Sequence, residues 1–476
     1  MNDKQNSSIA GSDLNTSIFP DQNHRIDFII SDRTPAIEKS QQYSNKESIG
    51  RLDYTGFLNL VIRGEIKGKD LISLCNASTK FRQFSNKPLV LENGKILDKY
   101  LFRLLLNKMK IRLLPGQNPR EVYKQKVIGG RVWAFGNNER GELGLVDCRN
   151  RSTPILIPSL NNIVAISAGG NYSLVLDNQG RVWSFGGNPF GQLGLNGNNI
   201  TIPTLIPNLN EIVEISTRNV HSLLLDNQGC VWSFGYNTSG QLGLGDTENR
   251  SIPTLIPNLE NIVGISAGHS HSLALNDQGR VWSFGNNGKS QLGLGDDKHR
   301  NIPVLIPNLE NIVAISAGGD HSLVLDNQGR VWSFGYNEYG CLGLGDEEDR
   351  AIPTLIPNLE NIIVISAEYS HSLVMNNQGK VWGFGYNYFG ELGLSCRQRV
   401  PIPILLTNLN NIVTISCGSS HSLALDNRGR IWGFGNNGNG QLGLGDNEQR
   451  TIPTLIPNLK NVMAISAGSL RSLVLK

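Results

Sequence analysis

Charge is scarce in this chain: Asp, Glu, Lys and Arg make up 17% of 476 residues, where about a quarter is usual. What charge there is nearly cancels, since 43 basic and 40 acidic side chains leave +3, a balance that argues against nucleic acid as a partner. There is no run of eighteen apolar residues, so no membrane-spanning helix is expected. The opening stretch 1–15 is polar and does not read as a secretory signal. Six cysteines stand at 75, 148, 230, 341, 396 and 417. No two form a Cys-x-x-Cys pair and no His cluster accompanies them. They read as packing or loop thiols in a reducing compartment, cytoplasm or nucleus, and not as a disulfide frame or a zinc site.

Glycine, by contrast, is plentiful, at 53 residues, about 11% against a usual 7%. Low charge with high glycine suggests many short strands and tight turns. The charge is also unevenly spread. Residues 79–131 carry 13 basic and 3 acidic side chains, whereas residues 132–476 carry 21 and 27.

Three parts follow from this texture. Residues 1–50, rich in Asn, Ser, Asp and Gln without steady periodicity, read as a disordered leader. Residues 51–128 read as a small α-helical module. Leu97, Tyr100, Leu101, Leu104 and Leu105 share one helix face, and Pro115-Gly116 ends it. Leu71, Leu74 and Cys75 share the face of an earlier helix, with Phe81 and Phe84 on a second short one.

From residue 129 to 476 the sequence repeats, and this outweighs everything else. All seven Trp, at 133, 183, 232, 282, 332, 382 and 432, sit in the same frame, Val/Ile-Trp-x-Phe-Gly, spaced by 49 or 50 residues. Asn-Ile-Val-x-Ile-Ser and His-Ser-Leu-x-Leu are short β-rich runs, and Asp-Asn-Gln-Gly makes a tight turn into the Trp strand. Trp and Phe, two residues apart, share a strand face that adjacent sheets would bury, which places the seven Trp in the core. A unit of about 50 residues with four short strands is the size of a propeller blade. The array begins mid-unit at Val132-Trp133 and ends mid-unit at Ser472-Leu473-Val474-Leu475. The two halves complement each other. The expectation is an all-β, seven-bladed ring, its first segment supplying the outer strands of the blade whose inner strands come last.

These repeats resemble the regulator-of-chromosome-condensation (RCC1) family, through motifs such as Val231-Trp232-Ser233-Phe234-Gly235, Gly240-Gln241-Leu242-Gly243-Leu244-Gly245 and Ser266-Ala267-Gly268 followed by His271-Ser272-Leu273. The resemblance implies a seven-bladed propeller. Asp70-Leu71-Ile72-Ser73-Leu74-Cys75 and Lys80-Phe81-Arg82-Gln83-Phe84 resemble the second half of an F-box, although the opening Leu-Pro is replaced by Gly56-Phe57-Leu58. That resemblance implies a Skp1-like partner at Leu71, Leu74, Cys75 and Phe81, and a role as a substrate adaptor of a ubiquitin ligase. The Asn- and Ile-rich texture is similar to that of giant-virus proteins, which implies a host-cell location.

The recurrent His221, His271, His321, His371 and His421 invite a metal or acid–base reading. Their spread over separate units, with Tyr172 and Arg471 at the same position elsewhere, points to structure instead. Asp177, Asp226, Asp326 and Asp426, with Asn276 and Asn376 in their place elsewhere, read as turn side chains accepting backbone N–H bonds. Gly-Gln-Leu-Gly-Leu-Gly lacks the Lys-Ser/Thr of a phosphate loop. No catalytic, cofactor-binding or metal-binding residue is expected, and no cofactor. The function expected is a non-enzymatic protein-binding scaffold. The alternative is guanine-nucleotide exchange on a small GTPase, the family's best-known role, but exchange-active members carry an extra insertion in one blade and the even spacing here leaves no room for it. The plant UV-B photoreceptor, a relative, uses Trp beside the Gly-x-x-His turn; here those slots hold Gly170-Asn171, His269-Ser270 and Gly319-Asp320.

Comparison between repeats separates scaffold from surface. The Asn-Gln-Gly turns and Ile-Pro-Asn-Leu segments barely vary and should share one face. The Gly-x-x-His turns and the loops after Phe-Gly-x-Asn vary and should share the other. On that face Tyr336, Glu338, Tyr339, Glu368, Tyr369, Tyr386, Tyr388 and Phe389 are the expected partner-binding residues. Residues 336–391 hold eight acidic and two basic side chains, which favours a basic protein partner, or residues 79–131 of the same chain.

Overall fold

The computed structural model describes residues 129–209 and 211–476; the leader, the helical module and Leu71, Leu74, Cys75 and Phe81 lie outside them. The described residues form seven four-stranded antiparallel sheets. Six are continuous in sequence. Blade 1 runs Ile163–Ala168, Tyr172–Asp177, Val182–Gly186 and Ile200–Leu205, and blades 2 to 6 repeat it. Blade 7 is composite, ordered Ala464–Ala467, Arg471–Leu475, Val132–Gly136, Arg151–Leu156. Its seam is an unbroken ladder, Val132↔Leu475 through Gly136↔Arg471. The C-terminal segment supplies the two inner strands and the N-terminal segment the two outer ones, as the phase of the repeat predicts.

Alternation decides where the core lies. In each Trp strand the Val and Phe are fully buried, on opposite faces. Phe334 of blade 4 packs with Leu273, Leu275 and Val281 of blade 3, while Val331 packs with Phe384 of blade 5. Seven such clusters sit between neighbouring blades, so each sheet is apolar on both faces and stable only as a member of the ring. The seven Trp differ from expectation: all are half-buried, at the edge of these clusters. Asp326 shows why. Its Oδ1 accepts the backbone N–H groups of Gln328 and Arg330 at 2.9 and 3.0 Å, and its Oδ2 accepts from the Trp332 indole and the Arg330 guanidinium. Arg330 then lies over the Trp332 ring. The indole N–H thus finds a partner at the blade edge.

The outermost strands carry Ile-Pro-x-Leu, where proline blunts the exposed edge. The Gly after each Trp-x-Phe is equally forced. Gly235 sits at φ 107°, and a Cβ there would come within 2.5 Å of the Val220 carbonyl. Asn258 and Asn261 take φ of 61° and 55°, the left-handed region Asn tolerates best among residues with a side chain. That explains the repeated Asn-Leu-x-Asn.

Candidate interaction surface

The backbone brings the two variable segments together. In each blade the residue after Phe-Gly donates its N–H to the turn of the Gly-x-x-His motif: Tyr336 to Asp320 O at 2.8 Å, Tyr386 to Ser370 O at 2.9 Å. A buried Asn organises the following loop. Asn337 Oδ1 accepts from Leu342 N at 2.9 Å and its Nδ2 reaches Asp346 O at 3.0 Å. The residues flanking that Asn project outward and differ from blade to blade. On the opposite face, Asn308, Leu309 and Asn311 line one groove with Arg330 and Trp332 of the Asp-Asn-Gln-Gly turn. The division into an invariant and a variable face holds.

On the variable face, blades 4 and 5 carry a continuous aromatic chain. Ring centroids lie 5.8 Å apart for Tyr336–Tyr339, 5.2 Å for Tyr339–Tyr386, 5.0 Å for Tyr386–Tyr388 and 6.2 Å for Tyr386–Phe389. Tyr369 stands nearer the ring axis, its ring 6.3 Å from that of His269 in blade 3. Tyr369 and Tyr388 are 54% and 46% exposed, Glu338 is exposed, and Tyr336, Tyr339, Tyr386 and Phe389 are half-buried. Burial pushes the Tyr336 and Tyr386 hydroxyls up, so both rings stay neutral.

The acidity is less available than the formal count suggests. Glu368 is buried and ion-paired with Arg218 of blade 2, so it is not offered at the surface. Glu391 is fully buried at a position where most repeats have Gln, and burial raises its carboxyl to about 7. Asp346 is paired with Arg350, and Glu347 with Arg399 at 2.9 Å. Glu360 lies on the opposite face, in an Asn-Leu-Glu-Asn segment. The repeat comparison missed two cations: Lys289 lies over Tyr336 and Arg399 over Tyr339, each 5.0 Å from the ring centroid. It also missed a smaller aromatic pair, Phe190–Tyr236, at 4.7 Å. The cations could not be read from the period, because each stacks on a ring in another loop.

The histidines are joints between blades. His321 Nε2 lies 2.9 Å from Ser372 Oγ of the next blade, and that hydroxyl donates to Cys341 O at 3.0 Å. The serine's one proton is therefore used, and the imidazole must donate from Nε2. His221, His271, His371 and His421 repeat the arrangement. At the remaining two junctions Tyr172 bonds Ser222, and Arg471 donates to Ser173 Oγ at 3.1 Å and Gly170 O at 2.8 Å. Burial lowers the pKa of His221, His321, His371 and His421 to about 3. Among the described residues no group of three or more His, Cys, Asp or Glu is placed to hold a metal ion.

A family model described as RCC1-like domain matches residues 127–369, and models of the regulator of chromosome condensation (RCC1) repeat match 378–425 and 428–475. Comparison with curated protein sequences finds no match. Among solved structures, Prp20p of Saccharomyces cerevisiae, described with its binding properties to Gsp1p and histones, is 24% identical with a TM-score of 0.68, over 76% of this chain and 96% of that one. Human WBSCR16 is 22% identical with a TM-score of 0.67, over 73% of this chain and 98% of that one. Yeast RCC1 (Prp20) bound to Kap60 gives 24% and 0.68, over 75% and 91%.

Proposed function

The chain belongs to the RCC1-like domain family, and from that premise we propose that it is a protein-binding scaffold whose partner docks on the variable face over blades 4 and 5. The observation that carries this reading is the aromatic chain Tyr336–Tyr339–Tyr386–Tyr388 with exposed Tyr369 beside it. Exposed rings backed by half-buried ones are the usual anchors of an interface. The partner's contacting segment is basic. Lys289 and Arg399 already sit over two of these rings, so the cluster accepts cations, and exposed Tyr369, Tyr388 and Glu338 offer further places for them.

The test is Tyr339→Ala, Tyr369→Ala and Tyr388→Ala combined in the full chain. Proteins captured by the wild type should be lost, with affinity falling at least about a hundredfold, while the melting curve stays within a few degrees. Undiminished capture by the triple variant overturns the proposal.

A further inference from the structure

Of the seven units, five have glycine directly after Ile-Ser-Ala/Cys, at 169, 268, 318, 418 and 468; blade 2 has Arg218 and blade 5 has Glu368. The departures are of opposite sign, and the ring brings them together. Arg218 and Glu368 form an ion pair across the axis, between blades that are not neighbours. Their side chains are 17% and 5% exposed. Arg218 Nη2 also donates to Ala317 O at 3.0 Å and Ala367 O at 2.7 Å, from blades 4 and 5. Ser419 Oγ approaches Glu368 Oε1 at 3.5 Å. Together they line a cavity of about 400 Å³ with residues of the variable Gly-x-x-His turns. Blades 2 to 7 each contribute to its lining, Tyr369 among them.

The same two residues change the local backbone. In the other blades the inner strand stops before the glycine, and a Cβ at Gly268, Gly318 or Gly418 would come within 2.5 Å of the following His ring. In blades 2 and 5 the strand runs one residue further, pairing Arg218↔His221 and Glu368↔His371, and the turn shrinks to Asn219-Val220 and Tyr369-Ser370. The Tyr369 carbonyl then lies so close to blade 4 that a Cβ on Gly319 would meet it at 2.3 Å.

We propose that Arg218 and Glu368 are positioning residues: a cross-ring lock that closes the channel at the variable face and holds the Tyr369 turn in its docking conformation. This rests on the interface reading for its purpose, but the lock itself does not need a partner. The physical reason is that a desolvated carboxylate and guanidinium hold one geometry only while both are present; removing either leaves a buried charge without its counter-ion. The carbonyl rim is nearly sevenfold symmetric, so a guanidinium placed on blade 5 meets an equivalent rim.

The experiment is hydrogen–deuterium exchange on the full chain, without partner, for wild type, Arg218→Gln, Glu368→Gln and the swapped pair Arg218→Glu with Glu368→Arg. Each single variant should speed exchange in the 367–371 turn by about tenfold, reflecting easier local opening. The swapped pair should return it to within about threefold of wild type. Single variants that exchange like wild type, or a swap no better than the worse single, overturn the lock. If Arg218→Gln folds poorly, the near-isosteric Glu368→Gln reads the same turn. Slow exchange in all variants sinks the lock alone; capture that survives the tyrosine substitutions sinks the interface alone.

Discussion

Deleting residues 129–145 should abolish the cooperative melting of the ring. The deletion removes the strand Val132–Gly136 and the loop after it, and with them Val132, Ala134, Phe135, Leu143 and Leu145, all at most 9% exposed. These side chains close two junctions at once. Phe135 packs with Leu423, Leu425 and Ile431 of blade 6, while Val132 and Ala134 pack with Val175 and Phe185 of blade 1. At about 2 kcal/mol for each large buried side chain the loss is of order 8–10 kcal/mol, comparable with the whole stability of a typical domain, ~5–15 kcal/mol. The deletion also strips Arg471–Leu475 of one of its two ladder partners, leaving only Ala464–Ala467, and orphans Arg151–Leu156. Differential scanning calorimetry should show a broad transition lowered by well over ten degrees. A deletion variant that melts like the intact chain would mean that the seam carries no load and the closed ring is not the stable unit.

Acid should unfold the propeller through its interblade histidines. Their folded pKa values lie near 3 against 6.5 for a free imidazole, and His271 is likewise held well below 6.5. A base with a depressed folded value binds its proton preferentially in the unfolded chain. Its contribution is therefore fully present above pH 6.5 and is lost progressively as pH falls toward 3. At pH 5 each of His221, His321, His371 and His421 has given up about 2 kcal/mol. Glu391 works the other way, since its folded value is raised from 4.5 to about 7; its stabilisation is complete below pH 4.5 and is lost as pH rises through 7, offsetting one histidine. For the four histidines with folded values near 3, set against Glu391, the net expectation is an uptake of about three protons on unfolding between pH 5 and 6 and a loss of roughly 6 kcal/mol by pH 5, with His271 acting in the same direction. Urea titrations at pH 7, 6 and 5 measure it. His321→Gln keeps a donor for Ser372 without a titrating ring, so it should lower the proton uptake by about one. A flat stability between pH 7 and 5 would mean that the rings are protonated, or free of their serine partners, in the folded chain.

Much of this architecture is legible in the order of residues. The Trp period of 49 or 50 residues counts the blades. The broken phase at Val132 and Leu475 predicts the composite seventh blade. The contrast between constant and variable turns separates the two faces. These are local or periodic facts, and a repeat writes them into the chain seven times. The helical module and its Leu71, Leu74, Cys75 and Phe81 lie outside the described residues, so that part of the reading stays an expectation.

What the period cannot carry is which unit faces which across the ring. Glu368 reads in sequence as one more acid near a tyrosine; the fold turns it inward onto Arg218, 150 positions earlier. Arg471 looks like a lapse from the His consensus until the seam places it against Ser173 and Gly170. Trp reads as core, yet its indole N–H and the Asp two strands' ends away hold it half-exposed at the blade edge. For Glu368 and Arg471 the deciding contact joins residues 150 and about 300 positions apart that only the ring makes neighbours, whereas the Trp332–Asp326 contact is local, six residues apart, and its outcome depends on where the blade edge meets solvent.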